Sequence, residues 1–187
     1  IRIEDSGRAH INTTEFTSAN SFIGLYFQPA SESLVVDNEL DSGEGVHLEV
    51  NAAARVTFDR NRVNSGHSFS AYSEAAVLSA EVNTFRLAID PAAVEADAVF
   101  SGHTNDSELS VSGNSFTWEN APGGARLFGN GSFTLTDNVL TGFGNSGTAL
   151  FMWRLTTHDK ATVTATGNRF ESFENALVFN LAGSSPG

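Results

Sequence analysis

Phe133-Thr134-Leu135-Thr136-Asp137-Asn138-Val139-Leu140 is a pattern that the chain repeats six more times. Counted from the asparagine, it is apolar at minus five and minus three, small or polar between them, and apolar again at plus two. Leu109, Val111, Asn114 and Phe116 obey it, as do Val163, Ala165, Asn168 and Phe170, and Val56, Phe58, Asn61 and Val63. Leu78, Ala80, Asn83 and Phe85 follow with a small residue inside. Ser33, Val35, Asn38 and Leu40 keep the frame, and Ala9, Ile11, Thr14 and Phe16 keep it with Thr in place of Asn. The anchors at 14, 38, 61, 83, 114, 138 and 168 are spaced 24, 23, 22, 31, 24 and 30 residues apart. Self-similarity at such periods is the signature of a solenoid.

Alternation with period two predicts a strand with one buried face, and it resumes two residues beyond the asparagine. Such a tight corner calls for a residue that tolerates left-handed backbone, which asparagine does better than any residue except glycine. Its side-chain amide is expected to bond to the asparagines above and below, a ladder of Asn38, Asn61, Asn83, Asn114, Asn138 and Asn168. Another strand follows each corner at a recurring offset: Val46, Leu48 and Val50; Phe69 and Ala71; Leu127; Ala149, Phe151 and Trp153; Ala176 and Val178 are read as its inward residues. These features resemble the right-handed, single-stranded parallel β-helix of the pectate-lyase-like superfamily. The resemblance runs over all 187 residues and implies an all-β single domain, 1–187, of about seven coils and three short parallel sheets.

Composition agrees with a long, narrow core. Forty per cent of the residues are hydrophobic, and fifteen Phe against one Met suggest rigid rings stacked inside the coil. Cysteine is absent, which removes disulfides and thiolate metal sites. A net charge of −12, with Lys160 the only lysine, opposes binding to nucleic acid. The longest uncharged apolar run, Ala149 to Trp153, is too short to insert into a membrane. No secretion signal precedes Ile1, and neither end carries a capping element; the expectation is a segment of a longer chain, or end-to-end self-association.

Loops lengthen in coils four to six: Arg86 to Ala98, a turn at Gly102 to Ser107 with His103 and Asp106, Trp118 to Gly124, Gly142 to Gly147, and Thr156 to Lys160. Insertions gathered on one face of a solenoid commonly make its binding face. The candidate ligand-binding residues beside them are Tyr72, Trp118, Arg126, Arg154 and His158, in which aromatic faces accompany cationic and imidazole donors suited to a neutral or weakly charged glycan. Ser110 with Ser112, Thr134 with Thr136 and Thr164 with Thr166 fall in two columns resembling ice-binding faces, but the columns break at Asp59, at Ser79 with Glu81, and at Leu34 with Val36.

The enzymes of the resembled superfamily leave little trace. There is no Asp-Asp pair, no Gly-His-Gly and no Arg-Ile-Lys, and Asp90-Pro91-Ala92 lacks the histidine of an epimerase-like Asp-Pro-His. A GxSxG elbow, a phosphate loop, paired metal-binding histidines and calcium-binding nonapeptides are missing too. No catalytic residue, metal ligand or cofactor is therefore assigned, with Ca²⁺ left open but without a motif. The resemblance implies a non-catalytic extracellular β-helix of a bacterial surface protein or adhesin, binding a polysaccharide or a cell-surface partner. The alternatives are a carbohydrate-active enzyme or tailspike-like polysaccharide depolymerase, of lyase or glycoside hydrolase type, and a structural spacer or filament unit.

Overall fold

Every repeat forms three strands, and successive repeats stack in parallel register. The computed structural model describes residues 2–3, 8–28, 32–51, 53–90, 99–105, 107–129, 131–145, 147–153 and 162–180, of which 2–3, 99–105, 128–129, 150–153 and 177–180 are described by their backbone alone. The pre-corner sheet has seven strands, His10–Asn12, Glu32–Val36, Arg55–Asp59, Val77–Glu81, Glu108–Ser112, Ser132–Thr136 and Thr162–Thr166. Past the corner, Glu15–Ser18, Glu39–Ser42, Arg62–Ser65, Thr84–Leu87, Ser115–Trp118, Val139–Thr141 and Arg169–Glu171 make the post-corner sheet. The post-turn sheet has eight strands: Arg2–Ile3, Ile23–Phe27, Gly45–Asn51, Ser68–Glu74, Val99–Asn105, Gly124–Gly129, Thr148–Trp153 and Asn175–Asn180. This is an all-β parallel solenoid with three sheets around one core.

Residues at minus five, minus three and plus two of the repeat face inward. In the turns anchored at Asn38, Asn61, Asn83, Asn114 and Asn138 all three are buried. The first and last turns differ: Ala9, Ile11, Phe16, Val163 and Phe170 are half-buried, each having a closed neighbouring turn on one side only among the described residues. Five turns thus have a closed interior, fewer than the seven coils expected from the anchors. Inside, Phe85 and Phe116 stack nearly parallel with centroids 4.6 Å apart, and Phe69 meets Phe85 edge-on at 4.8 Å. Such pairs contribute about 0.5–1.5 kcal/mol each beyond the area that they bury.

The asparagines form a continuous line of hydrogen bonds. Asn38 Nδ2 donates to Asn61 Oδ1 at 2.9 Å, Asn61 to Asn83 at 3.1 Å, Asn83 to Asn114 at 2.9 Å, Asn114 to Asn138 at 3.1 Å and Asn138 to Asn168 at 2.8 Å. Every Oδ1 also accepts the backbone N–H of the preceding anchor, starting with Thr14 N–H to Asn38 Oδ1 at 3.1 Å. Each Nδ2 makes a further bond to a carbonyl of the coil before, as Asn83 does to Phe58 O at 2.8 Å. The amides of this ladder are saturated, as burial demands.

Left-handed backbone falls one residue earlier than the sequence suggests. Thr13, Asp37, Arg60, Val82, Gly113, Asp137 and Gly167, each just before an anchor, have φ between 49° and 69°, whereas the asparagines do not. The corner thus divides two tasks: the exposed residue turns the chain, and the asparagine is kept for its amide. Two of the turning residues are also tied together, since Arg60 Nε and Nη2 donate to the Asp37 carboxylate of the previous coil at 2.8 and 2.9 Å. That bond, reinforced by the guanidinium charge, holds the Asp37 carboxyl below its ordinary value.

The post-turn sheet departs from the sequence reading in two places. Gly102 to Asn105 belongs to the strand Val99–Asn105 rather than to a turn. Register also pairs Leu150 with Ala125 and Met152 with Leu127, which are inward, and sets Phe151 and Trp153 beside Arg126 and Phe128. Val178 aligns with Phe151, and Leu177 and Phe179 with the inward set. An apolar residue at every position of 149–153 hides the alternation, so parity cannot be read from hydrophobicity there. The glycines that enter this sheet are fixed by contact: a Cβ on Gly66 would lie 1.8 Å from Gly43 O in the coil before.

Two substitutions separate the two corner tasks. Asn138→Ala is expected to destabilise the chain by about 1–3 kcal/mol, through orphaned buried partners. Val82→Gly is expected to stabilise it by up to about 1 kcal/mol, because a β-branched residue at φ 53° is strained. Chemical denaturation of both variants checks the opposite signs.

Candidate functional site

In-register parallel strands bring residues of equal parity into columns at about 4.8 Å spacing. On the post-turn sheet Val46, Leu48 and Val50 are buried, as are Phe69, Ala71 and Ser73. His47 and Glu49 on one strand, and Ser70, Tyr72 and Glu74 on the next, therefore face outward. Register extends these positions into two columns. One holds Gly24, His47, Ser70, Ser101, Arg126 and Phe151; the other holds Tyr26, Glu49, Tyr72, His103, Phe128 and Trp153.

Within these columns the side chains are linked. His47 Nδ1 lies 2.7 Å from Ser70 Oγ, and His47 Nε2 lies 3.4 Å from Glu49 Oε2. Asn51 Nδ2 donates to the other Glu49 oxygen at 2.6 Å. The Tyr26 ring is tilted against the His47 imidazole at 5.7 Å. Tyr72 donates its hydroxyl to Glu74 Oε2 at 3.1 Å. Burial first, then this bond and the charges of Glu74 and Glu49, push the Tyr72 phenol above its ordinary value, so it remains a neutral donor. His47 and Glu49 keep 31% and 28% of their side-chain surface exposed, which leaves the network open to solvent.

Of the residues singled out from sequence, the structure brings Tyr72 and Arg126 to this face. Arg126 has no ion-pair partner among the described residues, unlike Arg8, Arg60, Arg62, Arg86 and Arg169. Trp118 is elsewhere: it is 2% exposed and packs in the core, 6.3 Å from Phe116 and edge-on to Phe173 at 5.7 Å. The reason is parity, because Trp118 lies two residues beyond inward Phe116 on one strand. Arg154 and His158 lie outside the described residues.

His47, Glu49 and Ser70 were missed because they are scattered over two repeats with no local motif. The one signal that could have found them is the spacing of 23 residues between His47 and Ser70, one repeat, which makes them lateral neighbours.

Other surfaces have less chemistry. Two shallow clefts of about 530 and 510 Å³ lie along the pre-corner sheet, one at the turn around Ala53, Ala75 and Ser107, the other over His10, Leu34 and Thr57; neither includes the network. On that sheet Thr57, Ser79, Ser110, Thr134 and Thr164 align in one column, while Asp59 and Glu81 interrupt the next. Among the described residues no group of three or more His, Asp or Glu is placed to hold a metal ion.

The chain matches no family model, no curated protein and no solved structure. Its function is therefore argued from the post-turn face itself.

If Trp118 serves the core, Trp118→Ala is expected to destabilise the fold by about 3–5 kcal/mol. A thermal or denaturant melt decides this: an unchanged midpoint would return Trp118 to the list of surface residues.

Proposed function

We propose that the chain is a ligand-binding β-solenoid of a bacterial cell surface, and that its post-turn face takes an extended glycan laid along the solenoid axis. The observation that carries this reading is the register column Tyr26, Glu49, Tyr72, His103, Phe128 and Trp153, of which every member but Glu49 is ring-bearing and Tyr26, Glu49 and Tyr72 lie on the outward face. A polymer running across the strands crosses this column once per coil, and rings with polar tips, such as Tyr26 and Tyr72, combine stacking with directional hydrogen bonds. Glu49, Glu74, Ser70 and Arg126, which has no ion-pair partner among the described residues, add acceptors and donors along the same path. The chain's net charge of −12 disfavours a polyanion, so the preferred ligand is neutral or weakly charged.

The fold itself leaves catalysis open, since solenoids of this kind serve unrelated functions. A pectate-lyase-like ancestry and an autotransporter-like or adhesin parent are the finer reading that goes with a surface location, and end-to-end association of solenoids would lengthen the binding face. One observation, the bond between His47 and Ser70, favours chemistry on the bound polymer as a second reading.

Affinity electrophoresis against a panel of neutral and acidic polysaccharides tests the proposal. Retardation by a neutral glycan is expected, weakened several-fold, or about 1 kcal/mol, by Tyr72→Ala. Arg126→Ala is expected to weaken it further, and Arg60→Ala, at the corner, to leave it unchanged. Retardation that is absent, or indifferent to Tyr72→Ala, would leave the spacer reading in its place.

A further inference from the structure

Features that build this fold recur in coil after coil, as the asparagines and inward phenylalanines do. Among the described residues the pair of His47 and Ser70 occurs once. Its column neighbours are Gly24 on one side and Ser101 on the other, and the ladder hydrogen bonds of the sheet involve none of these side chains. The pair therefore serves no repeated structural purpose, and its geometry has a chemical reading.

Glu49 Oε1 is occupied by Asn51 Nδ2 at 2.6 Å, which leaves Oε2 directed at His47 Nε2, 3.4 Å away. A carboxylate only accepts, so in the neutral ring Nε2 carries the hydrogen and Nδ1 is the bare acceptor. Ser70 Oγ is 2.7 Å from that Nδ1, with its proton directed into the imidazole lone pair. A hydroxyl held against a base that is itself oriented by a carboxylate is the arrangement of an activated nucleophile, and it is recognised by these roles rather than by sequence order. The ring nitrogens have exchanged partners relative to the usual serine triad, but either nitrogen can take a proton.

We propose that Ser70 is a nucleophile, with His47 as its general base and Glu49 positioning the base, and that this site removes O-acyl groups from a glycan; the identity of the substrate rests on the glycan-binding reading above. Ser70 Oγ bonds to the ester carbonyl carbon while its proton passes to His47 Nδ1. The intermediate collapses, the bond from carbon to the sugar oxygen breaks, and the imidazolium returns the proton to the departing sugar hydroxyl. Water then attacks the acyl-serine, His47 again takes and returns a proton, and a carboxylic acid leaves with the Ser70 hydroxyl restored. Arg126, in the same column two strands on and about 10 Å away by strand spacing, adds positive charge to the same face. The network is open rather than enclosed, which admits an ester on a polymer.

The full 187-residue chain is to be treated with a fluorophosphonate probe and mapped by peptide mass, and assayed for acetate release from an acetylated neutral polysaccharide and from p-nitrophenyl acetate. One adduct is expected, on Ser70. Ser70→Ala should abolish both adduct and acetate release, and His47→Ala should lower both by about 100-fold or more. With p-nitrophenyl acetate, which does not use the glycan path, Glu49→Gln should lower kcat about ten-fold or more with KM unchanged, and Glu49→Asp should recover part of it, a split that a merely structural residue would not produce. Far-UV circular dichroism melts confirm that each variant is folded, and Ser79→Ala, on the pre-corner sheet, should keep full labelling. A folded protein without an adduct on Ser70, or acetate release that survives Ser70→Ala, overturns the proposal. Glycan retardation that persists in that case leaves the binding reading standing. An adduct on Ser70 with hydrolysis of the small ester but no glycan binding overturns the substrate assignment alone.

Discussion

The structure depends on a hydrogen bond made by one buried amide to the next. In water an asparagine gains little from meeting another asparagine, because solvent offers equivalent partners. Inside the solenoid no such partners exist, and each unsatisfied donor or acceptor would cost about 1–3 kcal/mol. From Asn38 to Asn138 the amides are at most 3% exposed, and each is met on both sides and by a carbonyl of the previous coil. A slip of one residue between coils would break the whole line at once, and would turn the apolar set of a strand outward. The ladder and the apolar alternation therefore specify the same register.

That register also brings residues far apart in sequence onto one face. Tyr26, Glu49, Tyr72 and His103 are separated by 23, 23 and 31 residues, yet they occupy neighbouring positions across four strands. Length is added between repeats without disturbing this, since the longer repeats between Asn83 and Asn114 and between Asn138 and Asn168 keep the same pairing. The core takes mainly apolar residues at inward positions, and outward positions are left to carry chemistry. The bond between His47 and Ser70 falls on the outward set, in two coils whose interior is closed.

Much of the fold was legible because its signals are local and repeated. Period-two alternation around each asparagine located the strands, the corner and the inward residues of the closed turns, including Ser33, which is 2% exposed. Two kinds of detail were not legible. The left-handed residue was assigned to the asparagine, although Arg60 and Val82 take that conformation; an exposed corner accepts the strain, while the amide cannot be moved. Parity was misread at Phe151, Trp153 and Val178, where apolar residues run without alternation. For the site the loss was greater. Tyr72 and Arg126, chosen for adjacency to the long loops, do lie on the post-turn face, but Trp118 was assigned to the surface against its parity with Phe116. The network of His47, Glu49 and Ser70 becomes visible only when the register between two repeats is known.

The central claim is that ladder-fixed register collects Ser70, Ser101 and Arg126 into one column. The chain contains no cysteine, so a pair of introduced thiols reports that register directly. Register partners on adjacent strands stand about 4.8 Å apart, within the span of a disulfide. The account predicts that Ser70→Cys combined with Ser101→Cys closes a disulfide under mild oxidation, and that Ser70→Cys combined with Gly102→Cys does not, because position 102 pairs with buried Ala71. Closure of the second pair in preference to the first would mean a sheet shifted by one residue, and would contradict the face on which the functional reading rests.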